Sequence, residues 1–171
     1  MQFVVHPLGI TYHYGGQYDS ALLLYDSAIN LIRDNSDAKK VLSSLYNNSA
    51  MSLSRKGHNE DAALRYLKAI EIQETLEAFD LLASTYNNLG IVYSDLKQYD
   101  LALKWYKKSS RYAVKSNSEI YLADAYNNIA LAFEKQQKFH TFLNIDGSNS
   151  FIYFLTIHIY NYSYKHFKNI H

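Results

Sequence analysis

A chain of 171 residues with 48% hydrophobic and 19% charged side chains carries enough apolar surface for a folded core, and its composition is far from that of a disordered segment. Lys and Arg number 17 against 16 Asp and Glu, so no bulk charge points to nucleic acid, an acidic membrane or an acidic substrate. The lack of cysteine excludes disulfide scaffolds, thiolate zinc sites and cysteine nucleophiles, while 1 Pro and 6 Gly favour long helices over a turn-rich β fold.

In chain order, the start from Met1 to Pro7 has neither a basic n-region nor an apolar h-region, so no secretory signal is expected. Proline is tolerated in the first turn of a helix, which predicts a short opening helix near 7–14 with Met1–His6 loose ahead of it. Apolar residues at helical spacing predict further helices near 18–33, 38–56, 60–73, 78–95, 99–115 and 119–137. Gly15-Gly16, Lys56-Gly57-His58-Asn59 and Leu96-Lys97-Gln98 read as turns inside helix pairs. Asp34-Asn35-Ser36-Asp37 and Lys115-Ser116-Asn117-Ser118 lie between pairs and are good helix N-caps.

From His140 the composition changes. Phe, Ile, Tyr, Asn and Lys, the residues of A/T-only codons, make up 19 of 32 residues in 140–171, and all 15 alanines lie upstream. The chain therefore divides into a helical domain at 1–139 and an irregular or non-native tail at 140–171. The tail is either a shifted frame or unspliced A/T-rich sequence, or a divergent end that docks as a cap. Its longest apolar run, Phe151 to Tyr160, is much shorter than the span of about 20 residues that a bilayer requires. No membrane span and a cytoplasmic location are expected.

Repeats decide the fold. Tyr-Asn-Asn recurs at Tyr46, Tyr86 and Tyr126, and each copy opens a longer pattern. One copy reads Tyr86, Leu89, Gly90, Tyr93, then Ala102 and Tyr106. Another reads Tyr46, Ser49, Ala50, Leu53, then Ala62 and Tyr66, and the first reads Val5, Leu8, Gly9, Tyr12, then Ala21 and Tyr25. The last begins Tyr126, Ile129, Ala130, Phe133 and fails at Phe142, where the alanine should stand. Tyr86, Leu89, Gly90 and Tyr93 form one apolar stripe. The small residues stand where two antiparallel helices cross closely.

This pattern resembles the tetratricopeptide repeat (TPR), W-x2-L-G-x2-Y…A-x3-F…P, over about residues 2–139. Two features depart from it. The period is 40 or 41 residues, and Arg33, Glu74 and Val114 stand in place of the terminal proline, so the helices can run longer. The lengthened variety resembles the arrays of kinesin light chains and of bacterial sensor-kinase input regions. The resemblance implies an all-α, right-handed helical-repeat solenoid of about three and a half repeats, without an internal domain boundary.

In such an array the first helix of each pair lines a concave groove. At about 100° per residue, the side away from Tyr86 and Leu89 carries Asn87, Asn88, Ile91 and Asp95. The equivalent residues are Asn47, Asn48, Met51 and Arg55 in the second repeat, and Asn127, Asn128, Leu131 and Lys135 in the fourth. Carboxamides both donate and accept, so two asparagine rows suit the backbone of an extended peptide whatever its side chains. Met51, Ile91 and Leu131 offer apolar contact beside them. The alternative role for one asparagine of each pair is a bond between neighbouring helices.

Other candidates are weaker. The 7 histidines match no metal-ligand spacing, and no metal or cofactor is expected. Lys104, Lys107, Lys108, Arg111 and Lys115 share one face of a second helix and read as a solvated convex stripe. No nucleophile–base set, phosphate loop or kinase set is present, so catalysis is not expected. The reading is a protein- or peptide-binding module that does not bind nucleic acid, with self-association through its end repeats as a further possibility. The alternative is a regulatory or sensory input region of a larger signalling protein.

Overall fold

The computed structural model of the protein describes residues 2–136. Within them seven α-helices follow one another: α1 (Gln2–Tyr14), α2 (Tyr18–Ile32), α3 (Lys39–Arg55), α4 (Asn59–Thr75), α5 (Phe79–Asp95), α6 (Tyr99–Lys115) and α7 (Glu119–Lys135). A 3₁₀ turn, Ser36–Ala38, precedes α3. Each helix packs on its neighbours in the chain, which gives three antiparallel pairs and one further first helix. Among the described residues there is no strand, and the architecture is the all-α helical-repeat solenoid expected from the repeats. The expected irregular tail, 140–171, lies outside the described residues.

The long period has a geometric origin. Each helix from α3 to α7 has 17 residues, and the turns between them have three, which makes up the 40-residue step. No proline stops any of these helices. The middle residue of each turn is left-handed instead: Gly16 (φ 73°), Gly57 (83°), Glu77 (49°), Lys97 (59°) and Asn117 (53°). The residue after it donates its N–H back into the last helical turn, as from His58 to Leu53 O (3.0 Å) and from Gln98 to Tyr93 O (2.8 Å). At the junction of α2 and α3, Asn35 Oδ1 accepts the Asp37 N–H (3.0 Å) and starts the 3₁₀ turn.

The opening helix differs from expectation. It begins at Gln2, so Gln2–His6 is helical and Pro7 lies inside α1. The ring removes the N–H that would have bonded the carbonyl of Phe3 and crowds that carbonyl. His6 has a partner on α3, described below.

The core follows the repeat signature. Ala21, Ala62 and Ala102 are fully buried, and Tyr25, Tyr66 and Tyr106 fill the crossings beside them. A Cβ on Gly90 would lie 2.4 Å from the Tyr106 ring, and one on Gly9 would lie 2.5 Å from the Tyr25 ring. Burial pushes the Tyr25 phenol up to about 12 and raises those of Tyr66 and Tyr106 as well, so all three stay neutral.

Candidate functional site

Successive first helices approach one another closely, with backbone contacts from α1 to α3, α3 to α5 and α5 to α7. Between the second helices α2 and α4, Arg65 forms a two-pronged ion pair with Asp26. Closer spacing of α1, α3, α5 and α7 puts them on the inner side of the curve. All twelve residues read as groove residues lie on α3, α5 and α7.

The six asparagines are half-buried, and four of them are tied to neighbouring first helices. Asn128 Nδ2 donates to Asn87 Oδ1 (2.9 Å), joining α7 to α5. Asn48 Nδ2 meets His6 Nε2 at 2.8 Å, joining α3 to α1. These two contacts are equivalent in the repeat, because His6 stands one 41-residue step before Asn47. Thr85 Oγ1 donates to Asn47 Oδ1 (3.3 Å) and joins α5 to α3. Asn47 also approaches Asn48 Oδ1 (3.3 Å) and the sulfur of Met51 (3.7 Å) along its own helix.

The outer part of this face is open. Ile91 is 38% exposed and Leu131 44%, in one row with half-buried Met51. Arg55, Asp95, Glu134 and Lys135 are exposed at the next turn. Lys135 Nζ donates to Ser94 Oγ (3.4 Å), which joins α7 to α5. Asp124, where Ser44 and Ser84 stand in earlier repeats, has its carboxyl raised by burial.

Two histidines that the repeat pattern does not single out also join α1 to α3. His6 and His13 are two helical turns apart on α1, and His13 Nδ1 lies 2.8 Å from Ser52 Oγ of α3. Burial lowers both imidazoles below the usual range, and the Arg55 guanidinium adds to this at His13. The register held the signal: one step of 41 residues takes His6 to Asn47 and His13 to Ser54. Among the described residues no group of acidic or histidine side chains could hold a metal, and no helix is long and apolar enough to cross a membrane.

Two family models, both described as tetratricopeptide repeat, match residues 6–39 and 81–141. The chain is a tetratricopeptide-repeat protein. The second TPR falls between the two matches and has Ser49-Ala50 where the pattern has Leu-Gly, yet α3 and α4 repeat the geometry of α5 and α6. No curated protein matches the chain. Among solved structures it is similar to BtubC (BKLC) from P. vanneervenii, at 23% identity and TM-score 0.72, over 81% of this chain and 57% of that one. The apo form of RapI aligns at 21% identity and TM-score 0.79, over 91% of this chain and 53% of RapI. Aspartyl phosphate phosphatase F from Bacillus subtilis aligns at 19% identity and TM-score 0.78, over 91% and 40%. The TPR chain therefore spans between two fifths and three fifths of these neighbours, and the likeness is one of fold. A TPR array of this kind is a protein-interaction scaffold.

Proposed function

We propose that the inner face of α3, α5 and α7 binds an extended segment of a partner protein. The observation that carries this reading is the open row of Ile91 and Leu131, flanked by Asn88 and Asn127, whose carboxamides have no hydrogen bond among the described residues. Apolar side chains of the segment would rest on the row, and its backbone would meet the two amides. Arg55, Asp95 and Lys135 alternate in sign along the face and would set orientation more than affinity.

Asn48 and Asn128 hold helices together, so the informative variants are elsewhere. A partner captured from a native extract, reduced to its shortest binding peptide, is titrated against the full chain. Asn88→Ala with Asn127→Ala removes two neutral hydrogen bonds and should weaken binding by roughly tenfold or somewhat more. Ile91→Glu with Leu131→Glu should weaken it further. Unchanged affinity in both double variants, each with wild-type melting, would refute the groove.

The alternative, an input region of a larger signalling protein, uses the same face. It is favoured by the chain's spanning only 57%, 53% and 40% of its structural neighbours. Extension of the reading frame past Phe139 into an effector domain would decide for it.

A further inference from the structure

The outer side of the third TPR carries a feature that the groove does not use. Five aromatic rings form a continuous ladder across α5 and α6. Tyr93 lies 6.3 Å from Trp105, Trp105 lies 5.7 Å from Tyr86, Tyr86 lies 5.5 Å from Tyr112, and Tyr112 lies 6.0 Å from Phe79. Three lysines of α6 lie over these rings. Lys104 Nζ is 5.1 Å from the Trp105 centroid, and Lys108 Nζ is 4.8 Å and 5.1 Å from those of Tyr86 and Trp105. Lys115 Nζ is 5.3 Å and 5.1 Å from those of Phe79 and Tyr112.

The ladder fixes the ammonium groups in a row. Each ring face attracts a cation, so the three side chains lie along the helix instead of waving into solvent. Lys108 also donates to Tyr86 Oη (3.3 Å), whose own proton goes to Glu74 Oε1 (2.6 Å). Glu74 accepts from the phenol and meets Lys108 only through it, and among the described residues no lysine of α6 is in a direct ion pair. Lys104, Lys107, Lys108, Arg111 and Lys115 have only Asp100 as an acid on the same helix, in a protein whose net charge is +1. Three of their spacings are like-charge pairs four residues apart, 104–108, 107–111 and 111–115, which destabilise a helix in isolation. The row is held together at a cost that an anionic partner would relieve.

We propose that this stripe of α6 docks an acidic segment of a partner protein in extended conformation. From Lys104 to Lys115 the row runs about 16 Å at 1.5 Å per residue, the length of about five extended residues. A single file of cations along one helix matches one chain carrying carboxylates. Single-stranded nucleic acid, by contrast, needs open ring faces for its bases. Here the rings are stacked on one another and covered by ammonium groups.

The test uses the full chain and a fluorescein-labelled hexaglutamate peptide, followed by anisotropy, with Trp105 emission as an internal reporter. Binding should weaken steeply as salt rises from about 50 to about 200 mM, because charge attraction supplies it. The variant Lys104→Gln/Lys108→Gln/Lys115→Gln should bind roughly tenfold more weakly or worse, and the matching Lys→Arg variant should restore binding. A control variant, Lys39→Gln/Lys40→Gln/Lys97→Gln, removes the same charge elsewhere and should bind as the parent does. Melting curves verify that each variant is folded, and the Lys→Arg variant keeps the comparison valid if the Gln variant is not. Failure of the parent to bind, equal loss in the control, or tighter binding of an oligothymidylate than of the peptide would overturn the proposal.

Discussion

Substitution of Gly90 by alanine tests the close crossing of α5 and α6 directly. A Cβ there would lie 2.4 Å, 2.5 Å and 3.0 Å from Cε1, Cδ1 and Cζ of Tyr106. Ordinary carbon contacts are about 3.5–4.0 Å, so the ring must retreat by about 1 Å or the helices must separate. Tyr106 is 3% exposed and packed among Ala102, Leu103, Ile129, Ala132 and Phe133, so it has little room. Overpacking of this kind costs about 1–3 kcal/mol. Against it stands a gain of about 1 kcal/mol, because alanine is the better helix former. The expected net loss is therefore up to about 2 kcal/mol, or at most roughly 4–8 °C in Tm for a domain of this size. Urea denaturation followed by circular dichroism measures it. Introducing Tyr106→Leu shortens the ring that meets the new methyl group, so Gly90→Ala should become neutral or stabilising in that background, with a coupling of about 1 kcal/mol or more. Equal effects of Gly90→Ala in the two backgrounds would refute the close contact.

Three further outcomes follow from the turns, the core and the α1–α3 seam. Lys97 has φ 59° and Gly57 φ 83° at equivalent turn positions, so Lys97→Gly should raise stability by about 1 kcal/mol and Gly57→Ala lower it by a similar amount, both read by thermal melting. Gln73 is 1% exposed with its Oε1 unpartnered among the described residues, where the register has Ile32 and Ala113; Gln73→Leu should stabilise by about 1–2 kcal/mol in urea denaturation. His6 and His13 have folded pKa values below their unfolded value of 6.5, so their contribution is complete above that pH and is lost as pH falls from 6.5 toward the lowered values. Tm should therefore drop between pH 7.5 and 5.5, and His6→Asn with His13→Gln should remove most of that drop.

Much of this TPR fold is legible in the residue pattern alone. The step from Tyr46 to Tyr86 to Tyr126 reflects a stacking unit that has the same length each time, and constant spacing of small residues requires constant crossings. Helix ends are legible where glycine stands, as at Gly16 and Gly57. Glu77, Lys97 and Asn117 adopt the same left-handed turn without glycine, because the helices on either side leave the chain no other path. Pro7 misleads for a related reason. A local rule places it in a first turn, whereas docking on α3 sustains the helix ahead of it.

The sequence by itself determined which face of each first helix carries asparagine, since periodicity along one helix needs only the helical pitch. Only the tertiary structure decided what those side chains do. Whether a carboxamide meets solvent or a neighbouring helix depends on the distance between α1, α3, α5 and α7, which no spacing within one repeat encodes. Asn48 with His6 and Asn128 with Asn87 are set by that distance, as is the ladder from Tyr93 to Phe79, whose rings come from two helices. Local pattern assigns residues to faces; packing between repeats turns faces into contacts.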